Sequence, residues 1–154
     1  TTCLAEENHY TFYGYSTGSG HETREAVVTE FFVFVLSYVL GSIPFALIIG
    51  KAFYGVDVRG HGSGNLGATN VARVLGVKAG LSVAAGDVGK GSLAAFLPHW
   101  FGLDLDPLLV GSLAIVGHCF PLFAGFRGGK AAATTAGVLV VANLPLFLTG
   151  FLTF

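Results

Sequence analysis

Phe31-Phe32-Val33-Phe34-Val35-Leu36-Ser37-Tyr38-Val39-Leu40-Gly41-Ser42-Ile43-Pro44-Phe45-Ala46-Leu47-Ile48-Ile49 runs for 19 residues without a charged side chain. At 1.5 Å per residue a helix of that length reaches about 28 Å, close to the ~30 Å hydrocarbon core of a bilayer. Pro44 within it predicts a kink, which membrane helices tolerate because neighbouring groups re-satisfy the freed backbone. Three more apolar runs follow, at roughly 81–103 (interrupted by Asp87 and Lys90), 107–123 and 131–154. Together they predict an all-α integral membrane protein, a polytopic helical bundle with about four spans.

Composition agrees. Of 154 residues, 53% are hydrophobic and only 11% charged, and the mean hydropathy is +0.70. A soluble domain usually carries about 25% charged residues, so the deficit points to lipid as the solvent. All five Glu (Glu6, Glu7, Glu22, Glu25, Glu30) lie in the first thirty residues, whereas the remainder sets seven Lys/Arg against four Asp. That mildly basic body suits anionic lipid or a phosphorylated substrate. It carries no basic run or stripe, which argues against nucleic acid. Cys3 and Cys119 form neither a disulfide framework nor a Cys/His ligand set, so no metal is expected.

Two units are read from this. Residues 1–29 form a polar, acidic tail without the apolar segment of a signal peptide, expected to be disordered or not native. The chain lacks Met, and translation from Val27 or Val28 by a non-standard start is one explanation. Residues 30–154 form the membrane domain. It is apolar to Phe154 with no polar cap, so it is expected to be incomplete at its C-terminus.

The loops set the orientation. Lys51, Arg59, Arg73 and Lys78 lie between the first two runs, and Arg127 and Lys130 between the last two. The middle connection has Asp104 and Asp106 after Trp100, and no Lys or Arg. The excess of cations places both basic loops in the cytoplasm and the tail outside, with Trp100 as an outer interfacial anchor.

Both basic loops are glycine-rich. In Gly62-Ser63-Gly64-Asn65-Leu66-Gly67-Ala68-Thr69-Asn70 the glycines let backbone amides approach an anion. Ser63, Asn65, Thr69 and Asn70 add neutral donors. A helix beginning at Val71 would aim its positive end at a phosphate, and Arg73 supplies a bidentate cation. The spacing G-x-G-x-x-G with Asp87 about 20 residues on imitates a dinucleotide-binding fingerprint. That fingerprint needs a strand before it, and here a membrane span precedes it. In the second loop, Gly128-Gly129 frees the backbone and Lys130 offers a point charge. Arg127 and Lys130 could equally serve topology alone, but facing the same side they look like the other wall of one anion site.

Asp87 and Lys90, three apart on one helix face, read first as a structural ion pair and alternatively as a device that positions the loops. His118 is a general-base or substrate-binding candidate. A lone histidine at a span end is more often a packed, hydrogen-bonded residue. His99 and Asp104 imitate a His-x4-Asp acyltransferase motif, but on the predicted outer side.

These residues resemble the PlsY family, the membrane-embedded acyl-phosphate:glycerol-3-phosphate acyltransferases of bacteria. The likeness runs from Gly41-Ser42-Ile43-Pro44 through Asp57, Arg59, the Gly62–Asn70 stretch and Arg73-Val74-Leu75-Gly76. It continues through Asp87, Lys90-Gly91, Gly117-His118, Phe120-Pro121, Phe126, Gly128-Gly129-Lys130 and Ala133-Thr134. The resemblance implies a seven-span fold with its site at the cytoplasmic face of the bacterial inner membrane. It implies acyl transfer from acyl phosphate to the first hydroxyl of glycerol 3-phosphate, giving lysophosphatidic acid and phosphate, without metal or other cofactor. By the same likeness the Gly62–Gly67 loop cradles acyl phosphate, while Ser63, Arg73 and Lys130 hold the phosphate of glycerol 3-phosphate. Ala131 departs from the family, which commonly has glycine there, and the family's third motif is absent from this chain. A truncated chain of this kind is expected to be inactive. The rival reading is a transporter of a phosphorylated metabolite, which would leave its ligand unchanged.

Overall fold

A computed structural model of the protein describes residues 20–153; Cys3 and residues 1–19 of the expected tail lie outside them. The described residues form seven helices: α1 Gly20–Gly41, α2 Phe45–Tyr54, α3 Ala68–Leu75, α4 Val77–Trp100, α5 Pro107–Cys119, α6 Ala132–Ala142 and α7 Leu144–Thr153. Short 3-10 turns at Val58–Gly60 and Leu122–Ala124 lie in the loops. No strand occurs among the described residues, so the dinucleotide reading has no sheet to stand on.

The first apolar run is two helices, not one. Pro44 lacks an amide hydrogen, and the chain bends by 42° between α1 and α2. Helix α1 also begins at Gly20, ten residues before the boundary expected for the membrane domain. The last run is likewise divided, at Asn143, whose side chain accepts from the Leu146 amide at 3.0 Å. By length and apolarity, 107–124 qualifies as a span, and the α1–α2 pair qualifies if taken together. Helix α4 has the length, at 24 residues, but Asp87, Lys90 and its glycines dilute it.

Helix α4 is the centre, packed against α6, α3, α5, α1 and α2. Small residues allow the close approach. A side chain on Gly91 would strike the Thr134 carbonyl, and one on Gly137 would strike the Val88 carbonyl. Ser92 donates to the Gly137 carbonyl at 3.0 Å. Helices α1 and α5 join through Ser37, which donates to the Val110 carbonyl at 2.6 Å, and Tyr38, which donates to the Phe120 carbonyl at 2.9 Å.

The distribution of polarity is inverted. Phe31, Phe32, Leu81, Leu93, Leu109 and Val116 point outward, whereas Ser37, Ser42, Asn70, Asp87, Lys90, His118 and Thr134 are buried. Water would penalise both halves of that arrangement; lipid favours it. This is the all-helical fold of an integral membrane protein.

Candidate active site

After α2 the chain turns through Asp57, whose carboxylate takes both Arg59 guanidinium bonds at 3.0 and 2.6 Å and pairs with Lys51 at 3.2 Å. Arg59's side-chain bond, then its backbone amide, hold the Asp57 carboxyl well below the usual carboxylate range, and Asp57 in turn raises Arg59. This clasp leads into the first glycine loop. Gly62 and Gly64 adopt φ of +61° and +70°, where a Cβ would clash with the following carbonyl. Buried Asn70 clasps the loop from within. Its Oδ1 accepts from the Ser63 amide at 2.8 Å, and its Nδ2 donates to the carbonyls of Asn65 at 3.0 Å and His61 at 3.2 Å. The amide of Asn70 therefore serves the loop's shape. Asn65 Oδ1 accepts from Gly67 at 2.9 Å. Helix α3 starts at Ala68, three residues earlier than expected, and Gly67 before it has no side chain to cap it. The backbone amide of Asn70 donates to the Gly67 carbonyl at 3.1 Å, and the amides of Ala68 and Thr69 are left for whatever occupies the space in front of them.

The second loop folds back over the end of α5. Gly128 and Gly129 donate to the carbonyls of Cys119 at 3.2 Å and His118 at 3.1 Å, pairing groups that a helix C-terminus leaves open. A side chain on Gly128 would meet the His118 carbonyl, and one on Gly129 would meet His118 Nε2. Lys130 follows, exposed, and then Ala131 at φ +55° begins α6. That left-handed backbone is the physical reason a glycine would suit this position.

The two loops face each other across one cavity of about 360 Å³. Of the twelve residues singled out from sequence, Ser63, Asn65, Gly67, Thr69, Asn70, Arg73, His118 and Lys130 line it. Gly62, Gly64, Gly128 and Gly129 stand behind, as the backbone positions that shape the two walls. Among the described residues neither Arg73 nor Lys130 has a carboxylate partner, so both cations are available to an anion.

Asp87 and His118 form the inner end of the cavity, and here sequence reasoning fell short. The expected Asp87–Lys90 pair is present at 2.9 Å, with both side chains 3% exposed. It continues further than expected. Lys90 also donates to the Ile43 carbonyl at 2.8 Å, Asp87 lies 3.4 Å from His118 Nδ1, and Thr134 Oγ1 lies 3.2 Å from the same nitrogen. No local pattern joins residues on α4, α5 and α6; only packing does. His99 packs against Phe96 at 4.9 Å between ring centroids with the rings tilted by 57°, near the far end of α4, and takes no part.

Comparison with known proteins places these observations. Residues 31–154 match the model of the glycerol-3-phosphate acyltransferase family. A glycerol-3-phosphate acyltransferase of Bacillus cereus (strain G9842) is 58% identical over 121 residues, covering 79% of this chain and 61% of the relative. One from Exiguobacterium sibiricum is 52% identical over 122 residues, covering 79% and 59%. The crystal structure of PlsY, an integral membrane glycerol 3-phosphate acyltransferase, in its glycerol 3-phosphate form superposes with a TM-score of 0.72 at 41% identity, covering 83% of this chain and 62% of that one. Its lysophosphatidic acid form gives 0.69 at 40% identity, with the same coverage. The chain spans about three-fifths of the length of the relatives it matches. The apolar exterior, the paired glycine loops and these matches all lead to one assignment: the chain belongs to the glycerol-3-phosphate acyltransferase family.

Proposed function

We propose that the protein transfers a fatty acyl group from acyl phosphate to the sn-1 hydroxyl of glycerol 3-phosphate, forming lysophosphatidic acid and inorganic phosphate for phospholipid synthesis. The observation that carries this reading is the single cavity into which both glycine loops deliver their free cations, Arg73 and Lys130, beside Ser63. Two anionic substrates repel each other side by side unless cations and amides neutralise them. Arg73, Lys130, Ser63 and the first turn of α3 do so here, and the Gly62–Gly67 loop cradles the acyl phosphate. The relatives solved with glycerol 3-phosphate and with lysophosphatidic acid support the same substrate and product.

The chemistry asks little else of the protein. Phosphate is already a good leaving group, so no covalent enzyme intermediate is needed. The hydroxyl oxygen bonds to the acyl carbon, the acyl–phosphate C–O bond breaks, and the departing phosphate takes the hydroxyl proton. Holding the hydroxyl against the acyl carbon supplies proximity. The membrane is the bacterial cytoplasmic membrane, with both loops facing the cytoplasm, a reading that their excess of Lys and Arg supports.

The test is phosphate release from palmitoyl phosphate by the bilayer-reconstituted protein, with and without glycerol 3-phosphate, on this chain and on its reading frame extended past Phe154. Release that depends on glycerol 3-phosphate is the expected result. Glycerol 3-phosphate that crosses the bilayer unchanged, with no phosphate released by either chain, would replace the enzyme reading with transport.

A further inference from the structure

We propose that His118 is a positioning residue: locked by Asp87 and Lys90, its imidazole is the template on which the Gly128-Gly129-Lys130 turn is moulded, and it thereby sets Lys130 at the cavity for a substrate phosphate. This rests on the function proposed above.

His118 meets the turn in three ways. Its carbonyl accepts from the Gly129 amide at 3.1 Å. Its Nε2 fills the place a Gly129 side chain would take. Its Nδ1 reaches Thr134 Oγ1, in the first turn of α6, at 3.2 Å. The turn between α5 and α6 is therefore held against one residue, by its backbone carbonyl and its ring together, and Lys130 is the next residue along the chain.

The template is itself fixed. Asp87 lies 3.4 Å from Nδ1 and Thr134 Oγ1 3.2 Å from it, and these two neighbours set the ring's orientation. An unpaired carboxylate at the inner end of an anion cavity would repel the substrate. Lys90 neutralises it at 2.9 Å and is anchored in turn on the Ile43 carbonyl at the α1–α2 break. Helix break, α4, α5 and α6 thus meet in one buried chain of contacts. Nδ1 faces Asp87 and Thr134, and Nε2 lies against the Gly129 backbone where a side chain on that residue would sit.

A residue that only places a binding cation acts on KM and leaves kcat nearly intact. The experiment titrates glycerol 3-phosphate against palmitoyl phosphate for the reconstituted protein in the reading frame extended past Phe154, as wild type, His118→Ala, His118→Asn and Thr134→Val, with amide hydrogen exchange of residues 126–131 measured on each. For His118→Ala we expect a KM at least ~10-fold higher with kcat within ~3-fold, and faster exchange at Gly128 and Gly129. His118→Asn keeps a donor near the Nδ1 position but no atom against Gly129, so KM and the exchange at Gly128 and Gly129 should stay raised. Thr134→Val should raise KM severalfold, and it decides the matter if His118→Ala fails to fold. Unchanged KM and unchanged exchange in the folded variants overturn the proposal. So does a large fall in kcat at unchanged KM, which would make His118 a catalytic residue. A wild-type protein that releases no phosphate sinks the proposed function instead, and the exchange result alone then decides whether His118 moulds the turn.

Discussion

Arg73 stands in the last turn of α3 with its side chain exposed to the cavity and no carboxylate beside it. A guanidinium binds a phosphate through two parallel bonds, which an ammonium cannot copy. Arg73→Lys should therefore lower kcat/KM by roughly 10- to 100-fold, the loss of one charge-assisted hydrogen bond of about 1.5–3 kcal/mol, while the protein still inserts in membranes. Steady-state kinetics at matched membrane content decides it, and an unimpaired variant would remove Arg73 from the site. Ala131 makes a different argument. Its left-handed backbone costs an alanine about 1–2 kcal/mol, but its buried methyl, 3% exposed, returns about 0.8 kcal/mol. Glycine also carries a larger unfolded-state entropy. Ala131→Gly should thus shift stability by less than about 1 kcal/mol. Ala131→Val, β-branched at φ +55°, should cost about 2 kcal/mol or more. Equal denaturation midpoints for the two variants in detergent would contradict this account.

At the scale of elements, α4 and α6 depend on backbone contact that a single methyl group would break. A Cβ on Gly137 would collide with the Val88 carbonyl, whereas one on Gly89, also in α4, would meet nothing within 4 Å. Gly137→Ala should destabilise by about 1–3 kcal/mol, while Gly89→Ala should be neutral or stabilising by up to about 1 kcal/mol. Unfolding in mixed micelles separates them, and similar losses would mean the helices re-pack freely. The loop after α2 offers a test by pH. Because Asp57 titrates below its usual range, chiefly through Arg59, its stabilising effect is complete above the ordinary carboxylate pKa of ~4 and is lost as pH falls toward the lower native value. Hydrogen exchange of residues 55–65, corrected for intrinsic rates, should rise in acid. Asp57→Asn should show that looseness already at neutral pH and no further acid step. The apolar runs announced these elements because lipid selects on composition, residue by residue. The bend at Pro44 was readable as a kink, but the break at Asn143 was less plain, since a hydropathy run does not register a capping side chain. Both walls of the cavity were readable for a similar reason: glycines, small polar residues and cations cluster within each loop. The inner end was not, because Asp87, His118 and Thr134 meet only through helix packing.

Across the whole molecule, the proposed side of the bilayer can be tested at the two ends of α4. Helix α4 has 24 residues and so extends about 36 Å, with the glycine loop and α3 before its start and Trp100, Asp104 and Asp106 at or beyond its end. The proposed orientation sets those two ends on opposite faces of a ~30 Å core, with the cations gathered at the first. Single cysteines report this directly. Gly60 has open space around its Cα and Asp104 is exposed, so Gly60→Cys and Asp104→Cys, each with Cys3 and Cys119 replaced by Ala, should disturb little. A membrane-impermeant maleimide should label the Gly60 variant in inside-out vesicles and the Asp104 variant in right-side-out vesicles. The reverse pattern would put Arg73 and Lys130 outside the cell, away from any cytoplasmic supply of acyl phosphate. Labelling of both variants from one side would mean that α4 does not cross the bilayer at all, and the buried Asp87–Lys90 pair would then need another explanation.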